Sequence, residues 1–172
     1  MKTETMLNVT YSKYKPGEFG YWWRVTKGKT DIARTIYKGD INCSNSELTS
    51  LKGCPKEVLG DFICCNNRLK SLDYAPETIK YNFDCSNNGL KSLQNGPREV
   101  GFCCDCSYNE LTSLEGAPVK IGEDMDCRNN NLVSLSGTLR EVGGDFKCKG
   151  NPELKSLTGI GQVKGKIISD IK

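Results

Sequence analysis

Apolar residues recur along this chain with a period of 21, and polar residues fall between them in an equally fixed order. Leu48, Leu69, Leu90, Leu111 and Leu132 form one column, and Leu51, Leu72, Leu93, Leu114 and Leu135 a second. Val58, Ile79, Val100, Ile121, Val142 and Val163 form a third, and Cys43, Cys64, Cys85, Cys106, Cys127 and Cys148 a fourth. Around each of these cysteines inward and outward residues alternate, which predicts a short strand. A unit this small cannot bury its apolar face alone, so successive units must stack on one another. The pattern therefore predicts a mainly β solenoid of six repeats and a terminal strand over residues 36–172, preceded by a separate segment, 1–35.

The spacing L-x-x-F-x-C-x-x-N-x-L-x-x-L over residues 59–72 resembles the leucine-rich repeat, with Phe62 and Cys64 in place of two of its leucines. Pro55, Pro76, Pro97 and Pro118 follow the last leucine of their units, so the short period is most similar to the short bacterial type and to repeats in tailed-phage proteins. The resemblance covers roughly residues 36–172. It implies a right-handed coil whose turns each consist of a strand in one parallel sheet, an Asn-stabilised bend and an extended return segment. It also implies a recognition scaffold, which is a loose guide to function because function lives in sites and not in folds.

The column Asn67, Asn88, Asn109, Asn130 and Asn151, headed by Ser46, reads as structural, its amides pairing backbone groups where the chain turns. The sixth unit, with Asn151, Pro152, Glu153 and Leu154, holds one extra residue at the bend and one fewer in its return, so Val163 regains register. Leu139 and Ile160 replace the proline in the last two units and predict a bulkier apolar back there. The repeating cysteines read as small core residues. Side chains on stacked strands run parallel about 4.8 Å apart without converging, and the chain contains no His, so no cofactor or metal is expected. Cys65 and Cys103 face outward instead and are candidate accessible thiols.

Residues 1–35 hold six of the chain's aromatics, including Tyr11, Tyr14, Phe19 and Trp22. Alternation at Leu7, Val9 and Tyr11, a turn at Lys15-Pro16-Gly17-Glu18, and the run Tyr21, Trp23, Val25 predict a hairpin that caps the first rung, with Trp22 as a candidate aromatic anchor. No apolar leader or spanning stretch is seen, and cysteines at core positions suit a reducing compartment, so the expectation is a cytoplasmic protein without membrane contact. At the other end Ile160, Val163, Ile167 and Ile171 predict an uncovered apolar rung. Ile167 there is the candidate contact for a homodimer.

The outward strand positions form three columns. The first contains Asp40, Asp61, Asn82, Cys103, Asp124 and Asp145; the second Asn42, Ile63, Asp84, Asp105, Asp126 and Lys147; the third Ser44, Cys65, Ser86, Ser107, Arg128 and Lys149. First-column aspartates read as strand-entry turns bonding local backbone. Those of the second column are stacked like charges, which cost stability and so point to a use. Residues 41–146 carry 10 basic and 15 acidic side chains, whereas both flanks are +4, so a net charge of +3 conceals an acidic centre. Such a surface repels phosphate and disfavours direct nucleic-acid binding.

The leading expectation is a non-enzymatic module whose concave strand face binds a basic patch on a protein partner, by analogy with phage proteins an inhibitor of a host or defence protein. The candidate contacts are Asp61, Ile63, Asp84, Asp105, Ser107, Asp124, Asp126, Arg128, Asp145 and Lys147. The alternatives are a solenoid enzyme using Asp124 and Asp126 as acid and base, roughly 7 Å apart, and a self-assembling structural protein joined through its C-terminal rung.

Overall fold

The computed structural model describes residues 15–20 and 35–171. Each of the six repeats, here called rungs one to six after Cys43, Cys64, Cys85, Cys106, Cys127 and Cys148, contributes two strands of only two residues. The odd-numbered strands are β1 (Ile36–Tyr37), β3 (Glu57–Val58), β5 (Thr78–Ile79), β7 (Glu99–Val100), β9 (Lys120–Ile121), β11 (Glu141–Val142) and β13 (Gln162–Val163). The even-numbered strands are β2 (Ile41–Asn42), β4 (Phe62–Ile63), β6 (Phe83–Asp84), β8 (Cys104–Asp105), β10 (Met125–Asp126), β12 (Phe146–Lys147) and β14 (Ile167–Ile168).

Each set forms its own seven-stranded parallel sheet, the even strands the front and the odd strands the back. This corrects the expectation of a single sheet with plain extended returns. The column of Val58 and its equivalents lies in the return segment. Because every residue sits over its counterpart 21 positions away, an extended pair in the return forms a ladder as readily as one in the front. The pairing Val142↔Val163 shows that register is restored after the irregular sixth bend.

The core lies between the two sheets and is stacked in columns. Phe62, Phe83, Cys104, Met125 and Phe146 succeed one another from the front, and the two leucine columns close the remaining sides, all of them buried. The rings of Phe62 and Phe83 stack with centroids 6.2 Å apart. Leu139 and Ile160 are buried where the proline column ends, as the sequence suggests. Close stacking leaves no space for side chains at one corner: a Cβ on Gly101, Gly122 or Gly143 would lie 1.9 Å from the carbonyl oxygen of the rung before it.

The asparagine column binds each rung to the one before. In rung four, Asn109 Oδ1 accepts from the Leu90 N–H at 3.0 Å, while its Nδ2 donates to the carbonyls of Cys85 and Cys106 at 3.1 Å and of Ser107 at 3.2 Å. Asn67, Asn88, Asn130 and Asn151 repeat the arrangement. The core thiols extend the same principle, with Cys43, Cys106 and Cys127 donating to the carbonyl of the next rung at 3.3 to 3.4 Å. Burial pushes these thiols far towards their neutral form, Cys43 to about 12.

At the first rung, Phe19 is fully buried with its ring 6.3 Å from that of Phe62, and Glu18 forms a parallel bridge with Ser50. The expected turn is present, Glu18 N–H donating to the Lys15 carbonyl at 3.0 Å. The other strands of the predicted hairpin, and Trp22, lie outside the described residues. At the opposite end Ile167 is 43% exposed, while Val163 and Ile171 are half-buried against the core. No described helix is long and apolar enough to cross a membrane.

Candidate functional site: the front sheet face

All three predicted outward columns are present on the front sheet, but most of their polar side chains also have structural partners. In the first column each carboxylate or amide oxygen accepts from the backbone of the next rung. Asp40 Oδ1 receives the Asp61 N–H at 2.8 Å, Asp61 Oδ1 that of Asn82 at 2.9 Å, and Asn82 Oδ1 that of Cys103 at 3.1 Å. Cys103, having no side-chain oxygen, interrupts this ladder. It resumes with Asp124 to Asp145 and Asp145 to Lys166, both at 2.8 Å. The expected local turns are thus links between rungs, which explains the glycine before several of these residues: a Cβ at Gly60 or Gly144 would lie 2.3 Å from the carboxylate below.

The second column also has a local role that sequence reasoning missed. Asp84 Oδ1 accepts from the N–H and hydroxyl of Ser86 at 2.9 and 2.6 Å, and Asp105 does the same with Ser107. Asn42 forms an equivalent turn with Ser44. These are Asx turns that close the front strand, and the signal in the sequence is the repeated [DN]-x-S in rungs one, three and four. Since Asn42 does the same work, the turn requires a side-chain oxygen but not a charge.

Charge divides the face into two halves. In rungs five and six, Arg128 grips Asp126 through Nε and Nη2 at 2.6 to 3.0 Å, and Lys147 Nζ lies 2.8 Å from Asp124 Oδ2. The Lys147 contact and the backbone N–H of Asp145 hold the Asp124 carboxyl below its ordinary pKa, and Asp124 in turn raises Lys147. In rungs three and four, Asp84 and Asp105 have no ion pair among the described residues. Burial raises the pKa of Asp105, opposed by its bonds from Ser107 and reinforced by the charges of Asp126 and Asp84.

The other candidates vary in accessibility. Ile63 and Asp145 are half-buried, and Ser107 is almost fully covered at 4% exposure, which leaves its hydroxyl to Asp105 alone. Cys65 is half-buried with its thiol pushed up to about 11, mainly by burial and then by the charge and hydrogen bond of Asp84, so it is a poor nucleophile.

Asp124 and Asp126, the candidate acid and base, each hold a cation. Cavities of about 290, 530 and 430 Å³ occur near Ile171, on the back sheet and at the Asn66 corner, and neither aspartate forms part of their walls. Two exposed aromatics beside the front strands, Tyr81 and Phe102, were not singled out from sequence. The available signal was their place in a column otherwise occupied by Gly39, Gly60, Glu123, Gly144 and Gly165.

Comparison of the chain with protein-family models, with curated proteins and with solved structures finds no match in any of the three.

Proposed function

We propose that this protein is a non-enzymatic binding module, a solenoid of leucine-rich-repeat type wound right-handed, whose front sheet binds a basic surface of a protein partner. The observation that carries this reading is the pair Asp84 and Asp105, stacked in register on adjacent strands, neither of them in an ion pair among the described residues. Their turns explain the side-chain oxygens but not the charges, because Asn42 forms the same turn without one. Like charges on neighbouring strands repel, and a cationic partner would relieve that repulsion. The binding region is accordingly the part of the face around rungs three and four, with Asp61 and Ile63 at its border, and the neutralised pairs of rungs five and six lie at its edge.

Matched affinity captures from native lysate, with the wild type and an Asp84→Asn/Asp105→Asn variant as bait, test the proposal. A partner retained by the wild type and lost with the variant, more strongly at low salt, is the expected result. Equal retention by both baits would remove the acidic face from recognition.

A further inference from the structure

Tyr81 and Phe102 stand two residues before the front strands of rungs three and four, where three of the other four rungs and the terminal turn place glycine. Their rings meet edge to face with centroids 5.3 Å apart, yet they remain 39% and 47% exposed. The repeat does not require them, since glycine serves the same corner elsewhere, and they pack on each other at the surface and not in the core. Lys80 Nζ lies 5.5 Å from the centre of the Tyr81 ring, so one face of the pair already holds a cation.

The same two rungs carry Asp84 and Asp105. Each ring-bearing residue lies in the bend that enters the front strand, three residues before its carboxylate, so the two are at most about 10 Å apart along the backbone. Exposed aromatics at the edge of an acidic strip, on the same two central rungs, combine the residue types that dominate interface energetics. Arginine suits such a place, its planar fork matching carboxylate and its face stacking on a ring.

We infer that Tyr81 and Phe102 anchor the partner of the acidic strip: an extended protein segment that presents arginine to Asp84 and Asp105 and, a few residues away, an apolar or aromatic side chain to the rings. The inference rests on the acidic-face reading and adds the partner's second determinant. A second copy of this chain is a poor occupant, because two such faces would bring Asp84, Asp105 and Glu123 against their own counterparts. Nucleic acid is opposed by the same charges.

The test uses labelled Gly/Ser decapeptides carrying two arginines and one tryptophan at varied separation, with arginine-only and tryptophan-only controls. Affinity is followed by fluorescence anisotropy, and the contact is mapped by amide chemical shifts of the full chain. The expected result is that a peptide with both residue types binds at least tenfold more tightly than either control. Tyr81→Ser/Phe102→Ser should reduce it to the arginine-only level, and Asp84→Asn/Asp105→Asn to the tryptophan-only level. The two rings are exposed and asparagine keeps the oxygen that closes each Asx turn, so circular dichroism should confirm an unchanged fold.

The anchor is overturned if tryptophan adds nothing to arginine-only binding, or if the aromatic double variant binds the combined peptide like the wild type. In either case the acidic-face reading survives provided that arginine-only binding is lost in the aspartate variant. If that binding persists without the aspartates, the acidic reading fails as well. A wild-type dimer in sedimentation that Phe102→Ser dissolves would assign the rings to a second copy and overturn the inference.

Discussion

Rungs three and four and rungs five and six are built on one plan, yet the front face is acidic in the first pair and closed into ion pairs in the second. Both pairs have an aspartate at the centre of the strand whose oxygen closes a turn two residues on. In rung four the turn partner is Ser107, which leaves Asp105 without an ion pair among the described residues; in rung five it is Arg128, which binds both carboxylate oxygens of Asp126. One residue in the third column thus decides whether a rung is a charged surface or an internally closed ion pair. A repeat scaffold can vary its outward residues in this way because its stability comes from the inward columns and the asparagine ladder.

The largest effect should come from the scaffold that both halves share. Asn109→Ala leaves the Leu90 N–H without its buried acceptor and removes one of the two amide donors to each of the carbonyls of Cys85 and Cys106, which keep Asn88 and Asn130, and should cost about 2 kcal/mol. Urea unfolding should show that loss as one lowered midpoint. A drop confined to one half, seen as two separate transitions, would mean that the halves are less coupled than continuous ladders imply.

Converting the closed half into the open one is the next test. Arg128→Gln strips Asp126 of its cation and should cost about 1 kcal/mol, modest because the arginine side chain is 46% exposed. Thermal unfolding measures this, and an unchanged melting temperature would show that the pair contributes nothing net.

The opposite change, Asp105→Asn, keeps the turn and removes a repelled charge. It should raise stability by about 0.5 kcal/mol at neutral pH. The folded pKa of Asp105 is raised, so the native state takes up its proton more readily than the unfolded chain. The penalty of the charged form therefore grows as pH rises from the unfolded value through the folded one, and the advantage of asparagine should vanish in acid. Asp124 has the reverse sign. Its pKa is lowered, so it contributes stability above the unfolded value that is lost as pH falls through the folded one, and Asp124→Asn should destabilise at neutral pH. Identical signs for these two variants at pH 7 would break the comparison.

The smallest effect is chemical. Asp84 helps burial to raise the thiol of Cys65, so Asp84→Asn should speed alkylation of Cys65 several-fold at pH 8. Peptide mapping after brief iodoacetamide treatment reads the rate, and the buried cysteine column should remain unmodified in both proteins.

The sequence by itself determined the period, the inward columns, the structural role of the asparagines, the outward register and the accumulation of aspartate near the middle. All of these follow from strict repetition, which forces each residue to stack on its equivalents, so that one unit's pattern becomes the pattern of the whole. Only the tertiary structure decided that the return segment closes a second sheet, because two-residue strands such as Glu57–Val58 are too short to show alternation and exist only through pairing with neighbours. It alone decided that Asp40 and Asp61 bond the next rung, since a contact across 21 residues depends on the rise between turns. The same is true of charge: Asp84, Asp105 and Asp126 hold equivalent places in the second column, and the ion pair that Arg128 forms in space separates Asp126 from the other two.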